Sequence, residues 1–344
     1  MKDISYEILD GLKAYGADRQ ALDRILSENS RPEFLYALSD MRENLLEWME
    51  LTGTERVLQL GSDYGALTGL LAGRCAQVTV ADERDENLAV SRRRNADREN
   101  IVYVSTGDPL HAGAEGESSG QENKKEETLK ALKGPWDVIV VLGPKRGTDL
   151  DLLFTDLAGR LAGEGRLIFA CENTIGLPFL AGEEHDGEES AFTRKEIEAA
   201  CEKAGLRHRE FYYPVPEYRL PVSIYSDRRL PAAGDIGTSQ AYHGPRYACT
   251  DEGKAYEQLV REGIFEETAK GFLVCASREE LGERTIFVKY NRTRKEAFRI
   301  RTSICEGEGG LWVEKRALSL AGEGHIQSME RKYEQLKRTS PGVS

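Results

Sequence analysis

The stretch from Val57 to Leu71 constrains the fold more than any other part of the chain. It reads as a short apolar strand, Val57–Leu60, followed by a glycine turn and a helix that begins at Ala66. A helix behind a glycine turn presents unpaired backbone N–H groups and the positive end of a dipole. The stretch therefore predicts a place where a nucleotide-like ligand can approach the backbone closely.

Apolar runs and helical segments then alternate along the chain. After Val57–Leu60, the predicted strands are Val78–Ala81, Ile101–Ser105, Trp136–Leu142, Arg166–Cys171, Arg207–Tyr213 and Val222–Ser226. Such alternation is typical of a doubly wound α/β fold with a largely parallel sheet. We therefore predict a Rossmann-like sheet of seven strands.

Three parts of the chain differ in pattern. Residues 1–50 predict an N-terminal helical segment, because apolar residues recur there at helical spacing. Residues 51–230 hold the alternating pattern, interrupted at 109–134 by a polar stretch that we interpret as a flexible insertion. Residues 231–344 predict a small C-terminal α+β accessory region.

Composition narrows the class of protein. The 344 residues carry a net charge of −12, which argues against a general nucleic-acid binder. No apolar run approaches the ~20 residues that span a bilayer. The six cysteines form no C-x-x-C pair, which indicates reduced thiols and no metal site. We expect a cytoplasmic protein.

Asp82 follows the second strand and can accept hydrogen bonds from ribose hydroxyls. A glycine turn with a distant acid suits either a dinucleotide or S-adenosylmethionine. The turn glycines at 61, 65 and 69 do not form G-x-G-x-x-G, so a nicotinamide dehydrogenase is disfavoured.

Later motifs favour S-adenosylmethionine. They are Gly107-Asp108 after strand three, Trp136-Asp137-Val138-Ile139 in strand four, Leu161–Leu167 before strand five, and the Leu38–Trp48 stretch. Together they resemble a bacterial group of class I S-adenosylmethionine-dependent methyltransferases, often found with glycosyltransferases of cell-surface glycan synthesis. The likeness covers residues 30–230.

This resemblance implies S-adenosylmethionine as cofactor and a set of residues around it. The implied cofactor-binding residues are Gln59, Gly61, Ser62, Asp63, Gly65, Asp82, Glu83, Gly107, Asp108 and Leu142. It also implies a small-molecule or glycan-precursor acceptor, methylated at oxygen, and glycosyltransferases of the same pathway as partners.

Two residues depart from the family pattern. Gln59 stands where the family has an acid, and Asp63 stands where it has the middle glycine. The Asp63 carboxylate would repel the carboxylate of the cofactor but could pair with its ammonium. Either Asp63 replaces the charge missing at Gln59, or the site is degraded and the protein is a non-catalytic binding or scaffold module.

An alcohol acceptor benefits from a general base. His185 is the candidate, because it lies in the loop after strand five, and a solvated loop histidine is the competing interpretation. Glu172-Asn173 is a candidate lining of the acceptor pocket. An rRNA adenine dimethyltransferase is disfavoured, because Leu142-Gly143-Pro144-Lys145 is not the N-P-P-Y/F motif that such enzymes need.

Overall fold

The computed structural model describes residues 4–107, 132–185, 187–237, 250–282, 284–292, 295 and 298–339. The strands are β1 Arg56–Leu60, β2 Gln77–Asp82, β3 Ile101–Ser105, β4 Trp136–Leu142, β5 Leu161–Glu172, β6 His208–Val215, β7 Ser223–Ser226, β8 Gly271–Ser277, β9 Thr285–Asn291, β10 Ile300–Gly307 and β11 Gly310–Ala317. The helices are α1 Ser5–Tyr15, α2 Arg19–Glu28, α3 Pro32–Leu38, α4 Thr68–Ala72, α5 Asp85–Arg94, α6 Leu150–Arg160, α7 Leu177–Leu180, α8 Arg194–Lys203, α9 Glu252–Arg261, α10 Phe265–Thr268 and α11 Leu320–Thr339.

The first five strands form the parallel half of the sheet. They lie in the order β3-β2-β1-β4-β5, and each neighbouring pair is parallel. Val57 of β1 lies opposite Val78 of β2 on one side and Val138 of β4 on the other. The doubly wound α/β prediction is confirmed, and the strand order reverses between β1 and β4.

The sheet has eleven strands in the described ranges, rather than the predicted seven. The strand predicted as the seventh, Val222–Ser226, is present as β7, but β8 is inserted between β5 and β6 and is antiparallel to both. Every residue of β8 is buried, as expected for a strand with a layer on each face.

The C-terminal part of the chain extends the same sheet. Strands β9, β10 and β11 follow β7 in antiparallel order, and β11 is an exposed edge. Residues 231–344 therefore contribute four strands to the one sheet. Most of the predicted insertion at 109–134 lies outside the described residues, and the proposed domain boundaries stay a prediction.

Two apolar cores cover the faces of the sheet. Ile139 and Val141 of β4 pack into one core with α6, while Val138 and Val140 pack into the other. A third cluster joins α1, α2 and α3 to α5, with Tyr64 of the glycine turn packed against it. The N-terminal helices thus lie beside the turn.

Removing the Phe272 side chain tests whether β8 is part of the central core. Phe272 has no exposed surface, whereas Leu311 on β11 is 64% exposed. We expect Phe272→Ala to lower the free energy of unfolding by about 3–5 kcal/mol. The control Leu311→Ala should change it by less than about 1 kcal/mol. Chemical denaturation measures both, and equal losses would contradict the central position of β8.

Candidate functional site

The carboxyl ends of β1 and β4 lie side by side where the strand order reverses. In open α/β sheets, ligands bind in the crevice at this position. Gly61 after β1 and Gly107 after β3 have φ of 84° and 64°, and a Cβ built on either glycine meets no atom of the described residues within 4 Å. Both glycines therefore leave open space at the predicted ligand edge.

The turn after β1 is tightly wound. Asp63, Tyr64 and Gly65 take left-handed φ values of 46°, 51° and 79°. A Cβ on Gly65 would lie 2.9 Å from the Ser91 Cα and 2.8 Å from the Asn95 Nδ2. Gly65 is thus required for packing of the turn against α5. Unlike Gly61, it has no open space around a built Cβ.

Gln59 braces the turn from below. Its side chain is buried, and its Nε2 donates to the carbonyl oxygens of Gly61 at 3.0 Å and Ser62 at 3.4 Å. Its Oε1 accepts from the Thr68 Oγ1 at 2.9 Å. Both ends of the amide are used inside the protein, so Gln59 is a structural residue of the turn.

Asp82 is also used by the protein itself. One carboxylate oxygen accepts from the Ser62 backbone N at 2.8 Å and the Ser62 Oγ at 2.6 Å, and the other accepts from the Arg84 N at 2.9 Å. The more accessible carboxylate at this strand end is Glu83, which pairs with the Lys145 ammonium at 2.6 Å. The pair joins the segments that follow β2 and β4.

Asp63 is held by the buried Arg42 of the N-terminal segment through one guanidinium nitrogen. Arg94 lies on the other side, with its guanidinium donating to the carbonyl oxygens of Ala37 and Tyr64. Burial lowers the pKa of Arg94 to about 10, while Asp63 and Glu43 act in the opposite direction. The negative charge of Asp63 is therefore compensated by two guanidinium groups.

Leu142 and Asp108 are the remaining predicted cofactor-binding residues. Leu142 ends β4 and is half-buried, and the segment that follows it pairs with residues 187–190 through a bridge between Lys145 and Glu189. A Cβ on Gly143 would overlap the Glu189 carboxylate, so this glycine permits the close approach. Asp108 lies outside the described residues.

His185 forms a dyad with Glu172. Its Nδ1 lies 2.9 Å from the Glu172 Oε2, and its ring stacks on Phe179 with 3.7 Å between centroids. The histidine side chain is 34% exposed, whereas Glu172 is buried at the end of β5. The Glu172 carboxylate and the Phe179 ring therefore orient the His185 ring, and the role of His185 as a base stays a prediction.

Arg219 lies behind the dyad. Its guanidinium is 3.6 Å from the Glu172 Oε1 and 2.5 Å from the Glu189 Oε2. The Tyr218 hydroxyl also donates a hydrogen bond to Glu189. Burial raises the pKa of Tyr218, which keeps the phenol protonated as a donor. Arg219 thus joins the end of β5 to the 187–190 segment.

Lys270 forms a second buried ion cluster close by. Its ammonium lies 2.5 Å from Glu183 and 3.5 Å from Glu217, and 5.8 Å from the centre of the Phe179 ring that supports His185. Burial raises the pKa of Tyr36, and the Glu217 carboxylate raises it further.

A cavity of about 100 Å³ adjoins Lys270 at the carboxyl end of β6. Its lining is mostly apolar and includes Val215, Ile236, Phe265 and Ala269. It thus lies on the same sheet edge as His185. Asn173, predicted to line an acceptor pocket, instead donates to the backbone carbonyls of Glu267 and Ala269 and fixes the segment before β8.

Most of the predicted site residues lie at one edge of the sheet. Some of them, such as Gln59 and Asp82, make hydrogen bonds that stabilise the turn, whereas others, such as Gly61 and Glu83, are accessible to a ligand. The residues that sequence reasoning missed are Arg42, Lys145, Glu189, Arg219 and Lys270. Arg42 and Lys145 belong to stretches already singled out in the sequence, whereas Glu189, Arg219 and Lys270 carry no local signal. In the described ranges, no group of three or more His, Cys, Asp or Glu residues is arranged to hold a metal ion.

Comparison with known proteins gives only distant structural likenesses. No family model and no curated protein matches the chain. A chain from the complex between the Haloferax volcanii Trm112 methyltransferase activator and its proposed methyltransferase is 14% identical, with a TM-score of 0.45 over 75% of this chain and 97% of that one. A SAM-dependent methyltransferase of Archaeoglobus fulgidus is 13% identical, with a TM-score of 0.39 over 79% and 99%.

The N-methyltransferase NodS of Bradyrhizobium japonicum, in complex with S-adenosyl-L-homocysteine, is 22% identical, with a TM-score of 0.31 over 45% of this chain and 72% of that one. Structural likenesses with TM-scores this low give no information about the activity of this protein. No helix in the described ranges is long and apolar enough to cross a membrane.

Replacing Gln59 by glutamate tests its bracing role. An ionised glutamate at this position would place a buried carboxylate against the carbonyl oxygens that Gln59 now donates to. We expect Gln59→Glu to lower the free energy of unfolding by about 1–3 kcal/mol at neutral pH. The same change at the exposed Gln20 is the control and should have little effect. A Gln59→Glu variant as stable as the wild type would refute the bracing role.

Proposed function

We propose that this protein transfers a methyl group from S-adenosylmethionine to a small-molecule acceptor, at oxygen. One observation carries the proposal. The sheet edge that carries the open glycines Gly61 and Gly107 also carries a histidine oriented by a buried carboxylate. The motif resemblance described above supports the identity of the methyl donor.

The residues at the edge fit an adenosine-bearing ligand. Gly61 and Gly107 leave the backbone accessible, and Glu83 offers a carboxylate for ribose hydroxyls, because Asp82 is engaged by Ser62. Ligand entry would separate Glu83 from Lys145. Both side chains are well exposed, so breaking this pair costs little, typically about 0–1 kcal/mol for an exposed pair.

When bound, S-adenosylmethionine supplies an electrophilic methyl group on its sulfonium. The work of the protein is to orient the acceptor and to accept its proton. With the Glu172 carboxylate accepting the Nδ1–H of His185, the Nε2 lone pair is the basic site. The acceptor O–H proton moves to this Nε2 as the oxygen attacks, and Glu172 stabilises the imidazolium formed.

The surroundings of the dyad disfavour an anionic acceptor. Arg219 and Lys270 are each shared by two carboxylates, so the acidic groups outnumber the cations. The neighbouring apolar cavity has room for a small ring or a short aliphatic group. A glycan precursor as acceptor, glycosyltransferases as partners and a cytoplasmic location stay predictions.

The cofactor site is tested by a matched pair of glycine variants. Gly61 and Gly53 both have positive φ, 84° and 88°, and open space around a built Cβ. Alanine at either position therefore carries the same backbone penalty. Only Gly61 lies at the carboxyl edge, so we expect Gly61→Ala to weaken S-adenosylhomocysteine binding by about tenfold, while Gly53→Ala leaves it unchanged.

Isothermal calorimetry measures both variants and the wild type. Absence of S-adenosylhomocysteine binding by the wild-type protein at millimolar ligand would overturn the proposed function. That result would favour the alternative of a non-catalytic binding or scaffold module. Equal losses in the two variants would show that the ligand does not bind over Gly61.

The base is tested by His185→Asn, with His208→Asn as control, because His208 lies exposed at the start of β6. We expect the His185 variant to form S-adenosylhomocysteine about 10²–10⁴-fold more slowly, with a small-molecule extract as the source of acceptor. Its affinity for S-adenosylhomocysteine should not change. An unchanged rate would exclude His185 as the base.

A further inference from the structure

Strand β11 leaves one side of its backbone open at the end of the sheet. In the described ranges β10 is its only strand neighbour, and every residue of β11 except the last is exposed. Leu311, Trp312 and Val313 are 64%, 42% and 60% exposed. Long apolar edge strands pair with other strands unless a proline, a bulge or charges prevent it. The sequence of β11 contains no proline, so the edge is able to accept a further strand.

The backbone hydrogen bonds show which residues of β11 point away from β10. Leu318, just after the strand, donates its backbone N–H to the Arg299 carbonyl oxygen, in line with the pairing of β10 and β11. Inward and outward backbone directions alternate from residue to residue in an antiparallel pair. The N–H and C=O groups of Leu311, Val313 and Lys315 therefore point outwards, away from β10.

These outward groups define how a second strand can be added. We propose that β11 pairs with β11 of a second copy of this chain, antiparallel and around a two-fold axis at Val313. In this register Val313 lies opposite itself and Leu311 lies opposite Lys315, so outward backbone groups of both copies meet. A two-fold contact uses the same surface on both copies, and the assembly therefore closes as a dimer.

The side chains on one face of β11 fit this register. Leu311 and Val313 of both copies share that face, and Leu311 of one copy lies diagonal to Val313 of the other, within reach of a side-chain contact. Lys315 can lay its aliphatic stem over Leu311 of the second copy while its ammonium stays in water. The pairing thus covers apolar side chains that are exposed in the single chain.

Charge selects this register over its neighbours. Trp312 lies opposite Glu314 of the second copy, and the Glu314 carboxylate is already paired with Arg301 at 3.4 Å. A two-fold axis at Glu314 or Lys315 would place two like charges directly opposite each other, which is destabilising. An axis at Trp312 would pair fewer residues, because the strand begins at Gly310.

The oligomeric state tests the interface. Sedimentation velocity over a range of concentrations should show the wild-type chain in a monomer–dimer equilibrium. We expect Val313→Lys, which places two ammonium groups at the axis, to weaken dimerisation by about tenfold or more. The control Leu152→Lys replaces a 70% exposed side chain on α6 and should leave the equilibrium unchanged. Both positions are exposed, so neither change should affect folding.

Engineered cysteines test the register. Opposite Cα atoms in a hydrogen-bonded antiparallel pair are about 5.5 Å apart, which suits a disulfide. Val313→Cys should therefore give a cross-linked dimer under mild oxidation, whereas the wild type should not. Leu311→Cys should not cross-link either, because the two copies of this residue lie about 14 Å apart along the strands.

Three results would overturn the proposal. A wild-type chain that is monomeric at every soluble concentration, or that forms open-ended assemblies, would exclude the two-fold pairing. Equal dimerisation by Val313→Lys and Leu152→Lys would exclude β11 as the interface. Cross-linking through Leu311→Cys but not through Val313→Cys would refute the axis at Val313.

Discussion

The carboxylate of Asp82 is the constraint on which the candidate site depends. One carboxylate oxygen accepts hydrogen bonds from the backbone N–H and the hydroxyl of Ser62, and the other accepts one from the backbone N–H of Arg84. These bonds tie the end of β1 to the end of β2 and fix where the glycine turn begins. Because a carboxylate can accept about four hydrogen bonds, one buried residue is sufficient for this. Asp82, which was predicted to bind a ligand, therefore stabilises the turn, and its neighbour Glu83 is the exposed carboxylate.

The two departures from the family pattern have the same physical character. Gln59 has a donor and an acceptor where an acid would have only acceptors, and the turn uses both. Asp63 introduces a charge where a glycine would introduce none, and Arg42 compensates it. Both residues are integrated into hydrogen bonds and ion pairs. The turn is therefore ordered, and Gln59 and Asp63 make hydrogen bonds and an ion pair that the residues of the family pattern would not make.

Local patterns in the sequence predicted the local structure well. The parallel strands β1 to β5 follow from their apolar runs, which are recognisable in the sequence. The central place of β8 could not be predicted, because it depends on pairing between segments far apart in the chain. The same holds for the site. Gly61 and His185 stand next to recognisable turns, whereas the cations of the surrounding ion pairs, Arg42, Arg219 and Lys270, come from other parts of the chain.

The position of β8 also determines the order in which this molecule can be completed during synthesis. Strands β5 and β6 each keep an open edge until Gly271–Ser277 has been made, because β8 pairs with both. Lys270, which anchors Glu183 in the loop of His185, is the residue immediately before that strand. The loop that carries His185 thus gains its Lys270 anchor only when the last central strand has been made. A growing chain that has made the glycine turn early still lacks this strand and the Lys270 ion pair until the late segment has been synthesised.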